Sequence, residues 1–131
     1  MTNAITQKQK SEELAYDLEE RTARFGEAVI DFCKGVSRES FIIPLISQLV
    51  RSGTSVGANY REANQASSPK DFRNKIYIAK KEANETMHWL RMITRACPEQ
   101  GSACRRLWQE AKELTLIFSK IVGTLNKKNG Y

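Results

Sequence analysis

The sequence predicts an all-α, up-down-up-down antiparallel four-helix bundle, and three observations carry that reading. Apolar residues recur at three- and four-residue spacing along four long stretches. Only seven glycines and three prolines punctuate the chain, and the breaks they make separate those stretches. The connections are short, and helices of roughly 20 residues joined by short loops become antiparallel neighbours.

The first helix is expected over 18–36. Asp17-Leu18-Glu19-Glu20 reads as a capping box, with Asp17 accepting from the first free amides and Glu20 reaching back. Phe25, Val29, Phe32 and Val36 then follow at helical spacing. Residues 1–16 are expected to form a flexible arm ahead of a bundle over 17–128. The second helix spans about 42–64, its start set by Pro44, which a first turn tolerates. Gly53, Gly57 and Ala58 lower its intrinsic propensity by about 1 kcal/mol per glycine relative to alanine. Small residues there are read as permitting close approach of a neighbouring backbone.

Ser68-Pro69-Lys70-Asp71 is the clearest boundary, with a serine cap, proline at the first helical position and an acid in the first turn. The third helix runs over 69–96 until Pro98 and Gly101 end it. Ser102 is expected to cap a fourth helix over 102–127, with Asn129-Gly130 as its stop.

Composition bounds the function. The chain has 131 residues, 40% hydrophobic and 27% charged, which suits one globular domain able to bury a core without metal or disulfides. No apolar run approaches the roughly 20 residues of a membrane span, and Met1 to Lys10 lacks the apolar stretch of a secretory signal. Cys33, Cys97 and Cys104 leave an odd number with no close-set pair, which fits a reducing cytoplasm. The net charge of +6 is uneven. Lys8 and Lys10 are outweighed by Glu12, Glu13, Asp17, Glu19 and Glu20, so the basic excess lies in the body of the chain. Such a body is a footprint for a polyanion.

No catalytic residues are assigned. His88 is the only histidine, has no serine, cysteine or acid at a triad spacing, and reads as a surface or edge residue. The cysteine spacing does not match zinc knuckles, so the thiols read as small hydrophobes. Gly53 and Gly57 lack the Lys-Ser or Lys-Thr that completes a phosphate loop. Neither metal nor cofactor is expected.

Two polar groups are more informative. Arg51, Ser55, Asn59 and Glu62 lie on one face of the second helix. Antiparallel pairing with the third helix sets Arg51 opposite Glu82 and Glu85, and sets Asn59 and Glu62 near Lys75 and Arg73. Arg51, Ser55, Asn59, Glu62 and Glu82 form either a solvated face or a network for helix packing or assembly. The second group is Lys34, Arg38, Arg91, Arg95, Arg105 and Arg106, which the topology gathers at one end, offset by Glu39 and Glu99. They read as candidate phosphate contacts, or as favourable charge at helix C-termini. Arg105 and Arg106 open a helix, so the second reading omits them. No aromatic platform is expected beside them, which argues against base readout. Trp108, Ile117 and Tyr77 read as exposed apolar groups that favour oligomers.

Three segments resemble a known family. Tyr16-Asp17-Leu18-Glu19-Glu20-Arg21-Thr22 with Phe25 and Val29-Ile30 is the first, and the run from Gln48 to Ala63 is the most specific. Asp71-Phe72, Lys75, Ile78-Ala79, Lys81-Glu82-Ala83 and Trp89-Leu90 make the third. In this order and spacing the chain resembles the four-helix-bundle proteins of the intervening sequences in bacterial 23S rRNA genes. The resemblance implies a homopentamer without established enzymatic activity. A related branch works beside reverse transcriptases in diversity-generating retroelements, so a reverse transcriptase enters as a partner by analogy.

The sequence therefore leads to a non-enzymatic homo-oligomer that binds RNA, DNA or a nucleoprotein partner through a basic surface. The alternative is a structural or protein-interaction scaffold with no nucleic-acid role.

Overall fold

The structure, a computed structural model, describes residues 6–128. Its helices are α1 (Gln7–Lys34), α2 (Ile43–Asn64), α3 (Pro69–Ala96) and α4 (Gly101–Lys128), and the 3-10 turn Pro98–Gln100 leads into α4. Packing follows the cycle α1–α2–α3–α4–α1 while diagonal pairs stay apart, so the chain is an antiparallel up-down-up-down bundle. The α1–α4 seam is the sparsest of the four.

α1 begins well ahead of Asp17, which corrects the expected arm over residues 7–16. The decisive cap is Thr6: its Oγ1 accepts the Gln9 N–H at 3.1 Å, and Gln9 Oε1 accepts the Thr6 N–H at 2.9 Å. This is a complete capping box upstream of Asp17-Glu20. Asp17 and Glu20 then sit inside the helix, exposed. Residues 1–5 of the expected arm lie outside the described residues.

α2 takes Pro44 in its first turn and runs unbroken through both glycines. The glycines let α1 come close. A Cβ on Gly53 would stand 2.9 Å from Val29 Cγ2, and one on Gly57 would stand 3.2 Å from the backbone of Thr22. α3 starts on Ser68, whose Oγ accepts the Asp71 N–H at 3.1 Å. It ends at Cys97, pushed to φ −133° and ψ 77° as the residue before Pro98. Ser102 is not a cap: Gly101 already has helical dihedrals of −55° and −39°, so Ser102 lies within the first turn of α4. The expected Asn129-Gly130 stop lies outside the described residues.

Val29, Leu49, Val56, Ile76, Leu90 and Phe118 lead the core, each essentially without solvent exposure. Their i, i+3 and i+4 spacing puts one stripe of each helix inward. Cys33, Cys97 and Cys104 are free thiols buried in that core at the end formed by the 35–42 and 97–100 connections. Of the apolar groups expected on the surface, Tyr77 is exposed, whereas Trp108 and Ile117 pack half-buried against the core. Leu14, Tyr16, Phe41 and Leu116 are the most exposed large apolar side chains among the described residues.

Candidate nucleic-acid interface

The basic end is built by the way α3 stops. Pro98 cannot continue the α3 hydrogen-bond ladder, so the Cys97 N–H closes the last turn onto Ile93 O at 2.7 Å. The 3-10 turn then reverses the chain, and α4 returns beside α3. Cys97 and Cys104 point inward from this corner and are buried. Positions on the opposite faces of both helices are thereby turned outward, and these carry arginine.

Arg91 and Arg95 on α3 and Arg105 on α4 are exposed and line one groove of about 1070 Å³ between the two helices. Leu90, Thr94, Pro98, Gly101, Cys104, Trp108 and Gln109 complete its walls. Among the described residues none of the three arginines has a carboxylate partner, in contrast to Arg21, Arg24, Arg51 and Arg61. The other expected cations are distributed differently. Arg106 lines the groove on the far side of α4, between α1 and α4. Lys34 pairs with Asp31 at 3.6 Å. Arg38 stands exposed on the connection after α1, close enough to Cys33 for its charge to oppose the effect of burial on that thiol.

Sequence reasoning placed no aromatic group beside these cations, and the structure corrects that. Trp108 shares the α3–α4 groove with all three arginines. It lies one helical turn after Cys104 and Arg105, so pairing of α4 with α3 carries the indole to the groove wall. The signal missed was this i, i+3 relation, which places Trp108 on the same side of α4 as Arg105.

The polar stripe on α2 divides into bridges and local bonds. Arg51 Nη1 donates to Glu82 Oε2 at 3.0 Å, its Nη2 contacts Glu85, and its Nε donates to Gln48 at 2.9 Å. Glu85 also accepts the indole N–H of Trp89 at 2.9 Å. Lower on the same seam, Lys75 meets Glu62 at 2.8 Å. Ser55 and Asn59 instead donate to carbonyls one turn back on their own helix, Arg51 O at 2.6 Å and Ser55 O at 2.9 Å. The network joins α2 to α3 on its exposed flank, and a second bond lies beneath it. The buried hydroxyls of Ser52 and Thr86 stand 3.0 Å apart, with Thr86 Oγ1 also 2.7 Å from Glu82 O. Sequence reasoning missed this pair, and it missed Arg21–Glu110 across the α1–α4 seam.

Reactive groups are poorly placed for chemistry. His88 is exposed and packs edge-on against Trp89, ring centroids 4.8 Å apart. Burial pushes the Cys33 thiol up to about 11, partly opposed by Arg38, and raises Cys97 and Cys104 in the same direction. A thiol so held is protonated and weakly nucleophilic. Among the described residues no helix is long and apolar enough to cross a membrane.

The fold and its polar seams can be set beside known proteins. The family model for the 23S rRNA-intervening sequence protein matches residues 8–120. The chain belongs to this family. A search of the curated proteins gives no match. Among solved structures, the chain is similar to a protein of unknown function from the S23 ribosomal protein family of Bacteroides thetaiotaomicron. The two share 32% identity with a TM-score of 0.76, over 83% of this chain and 97% of that one. For this intervening-sequence family member, the matched segment spans nearly all of α1, the whole of α2 and α3 and α4 as far as Lys120, and it holds the whole arginine groove.

Proposed function

We propose that this chain is a homo-oligomeric, non-enzymatic helical bundle of the cytoplasm that binds RNA, DNA or a nucleoprotein partner through its basic end. The observation that carries the reading is the trio Arg91, Arg95 and Arg105. These exposed guanidiniums face one groove and have no carboxylate partner among the described residues. Arg21 and Arg51, which tie neighbouring helices together, each have a glutamate within 4 Å. Cations left unpaired around a concavity create a positive field suited to phosphate.

A non-enzymatic role is supported by the state of the reactive groups: protonated buried thiols and an exposed histidine. Three buried free thiols suit a reducing compartment. Self-assembly would cover Leu14, Tyr16, Phe41 and Leu116, each at least 59% exposed in the single chain. The pentamer follows from the family resemblance, and a reverse transcriptase as protein partner rests on analogy with the related branch.

The test is solution mass by light scattering, with and without short RNA and DNA, single-stranded and duplex, across a salt series. Salt-sensitive binding by an oligomer of about five subunits supports the proposal. An oligomer indifferent to every nucleic acid replaces it with the scaffold reading, and a monomer removes the assembly.

A further inference from the structure

The α3–α4 groove has two features that point to one kind of ligand. The first is cationic. Arg91 and Arg95 are one turn apart on α3, and Arg105 faces them from α4 across a concavity of about 1070 Å³. The second is aromatic. Trp108 lines the same groove, partly buried and packed against the core. Its indole N–H makes no hydrogen bond with a described residue, unlike that of Trp89, which is tied to Glu85. Lys112 adds a further exposed charge, its Nζ 5.4 Å from the Trp108 ring centroid.

Resting on the proposed nucleic-acid role, we infer that this groove takes a single strand of nucleic acid, with one base stacked on Trp108 and the flanking phosphates held by Arg91, Arg95 and Arg105. The argument for a single strand is one of access. A duplex keeps its bases stacked in its interior, so an indole recessed in a groove meets only sugar and phosphate. An unpaired strand can turn a base onto the ring, and the base's π-face suits an indole whatever the base identity. The stack also explains why a large apolar ring shares a concave wall with three unpaired guanidiniums, where a small polar residue would leave less apolar surface wet. Lys112 reinforces the site, because its flexible stem lets the ammonium move from the ring to a phosphate. Glu99, on the connecting turn, and Glu39 are the opposing charges at this end, both close enough to act on Cys97, and neither lines the groove.

The experiment uses the full chain carrying Trp89→Phe, so that Trp108 is the only fluorophore of its kind. Its emission is titrated with deca-uridylate, deca-thymidylate and a ten-base-pair duplex, and binding is followed in parallel by anisotropy of end-labelled strands. Saturable quenching of Trp108 by the single strands but not by the duplex is the expected result. RNA and DNA are told apart by which oligomer quenches at lower concentration. Trp108→Leu is expected to weaken single-strand binding by about tenfold or more, and Trp108→Phe by less, with helical circular dichroism unchanged. Strands that bind by anisotropy while Trp108 emission stays constant would overturn the stacking site and leave the nucleic-acid role standing. Equal quenching by duplex and single strand also overturns it. Absence of all binding removes both readings together.

Discussion

Arg21 on α1 and Glu110 on α4 meet through two parallel hydrogen bonds, Nε to Oε2 at 2.8 Å and Nη2 to Oε1 at 2.7 Å. The fork-to-fork geometry is the strongest form of a side-chain ion pair. It spans the seam where the bundle is least packed, with Glu113 assisting at 3.5 Å. The bond to Glu110 raises the Arg21 pKa above its ordinary value, against a smaller opposing effect of burial. A raised base stabilises the fold below its unfolded pKa, and that of arginine is so high that the guanidinium stays charged at every working pH. The side chains are 38% and 31% exposed, so solvent limits the gain. Glu110→Gln is expected to cost about 0.5–1 kcal/mol in urea unfolding. A cycle with Arg21→Met should show coupling of similar size; additive single changes would mean that the pair holds nothing together.

The glycines of α2 and α4 should respond in opposite directions to alanine. At Gly53 the new methyl meets Val29 Cγ2 at 2.9 Å, and a β-branched side chain cannot rotate away cheaply. Overpacking of about 1–3 kcal/mol outweighs the helix-propensity gain of about 1 kcal/mol. Gly53→Ala should therefore destabilise, and Val29→Ala in the same chain should recover part of the loss. Gly123 has no atom within 4 Å of the added methyl, so Gly123→Ala should stabilise by about 0.5–1 kcal/mol. Thermal melts of the four proteins decide it, and a stabilised Gly53→Ala contradicts the close approach of α1 and α2.

How much of this was legible before the structure depended on whether a feature is local. The start of α3 was legible because Ser68 and Pro69 state it in adjacent residues. Gly53 and Gly57 were legible as a close-approach stripe because helical spacing alone aligns them. The start of α1 was misread because two capping boxes compete, Thr6–Gln9 and Asp17–Glu20, and the upstream box won. Continued helix over residues 7–16 sets Leu14 in one groove with Leu18, Ile117 and Ile121, a placement invisible without knowing that α1 and α4 are neighbours. Glu82 and Glu85 opposite Arg51 followed from antiparallel pairing of sequential helices. Arg21–Glu110 joins the first helix to the last, and no local pattern announces it. Topology alone sets these arginines towards one end, but their division between two sides of α4 depends on helix rotation, which sequence spacing leaves unset.

The buried thiols set an alkaline limit on stability. Burial holds the Cys33 thiol up to about 11, against an ordinary value of 9.0, with the Arg38 charge opposing. The sign follows from proton counting. Below 9.0 both the folded and unfolded thiol are protonated, and the full stability is present. Above it the unfolded thiol ionises first, so stability falls as pH rises towards about 11. Cys97 and Cys104 shift the same way through burial. Urea midpoints should therefore be flat near neutrality and decline in alkali, with a shallower decline in Cys33→Ala. In the native protein all three thiols should resist iodoacetamide at neutral pH and react on unfolding, read by intact mass. Rapid labelling of Cys33 in the folded state would show that the bundle end is open.

The two sides of α4 should differ in their dependence on salt. Each phosphate contact on a single strand contributes about 0.7 to the slope of log affinity against log salt. Arg91, Arg95 and Arg105 share one groove, so Arg91→Glu, Arg95→Glu and Arg105→Glu combined should lower the slope by about 2. Arg106 is also exposed and adjoins Arg105 in sequence, but it lines the α1–α4 groove. Arg106→Glu alters the net charge without touching the proposed contacts, and it should leave the slope nearly unchanged while slowing association slightly. Affinities measured by anisotropy from low to high salt separate the cases. If Arg106→Glu lowers the slope as much per residue as the combined change does, binding follows overall charge, and the α3–α4 groove loses its claim to be the interface.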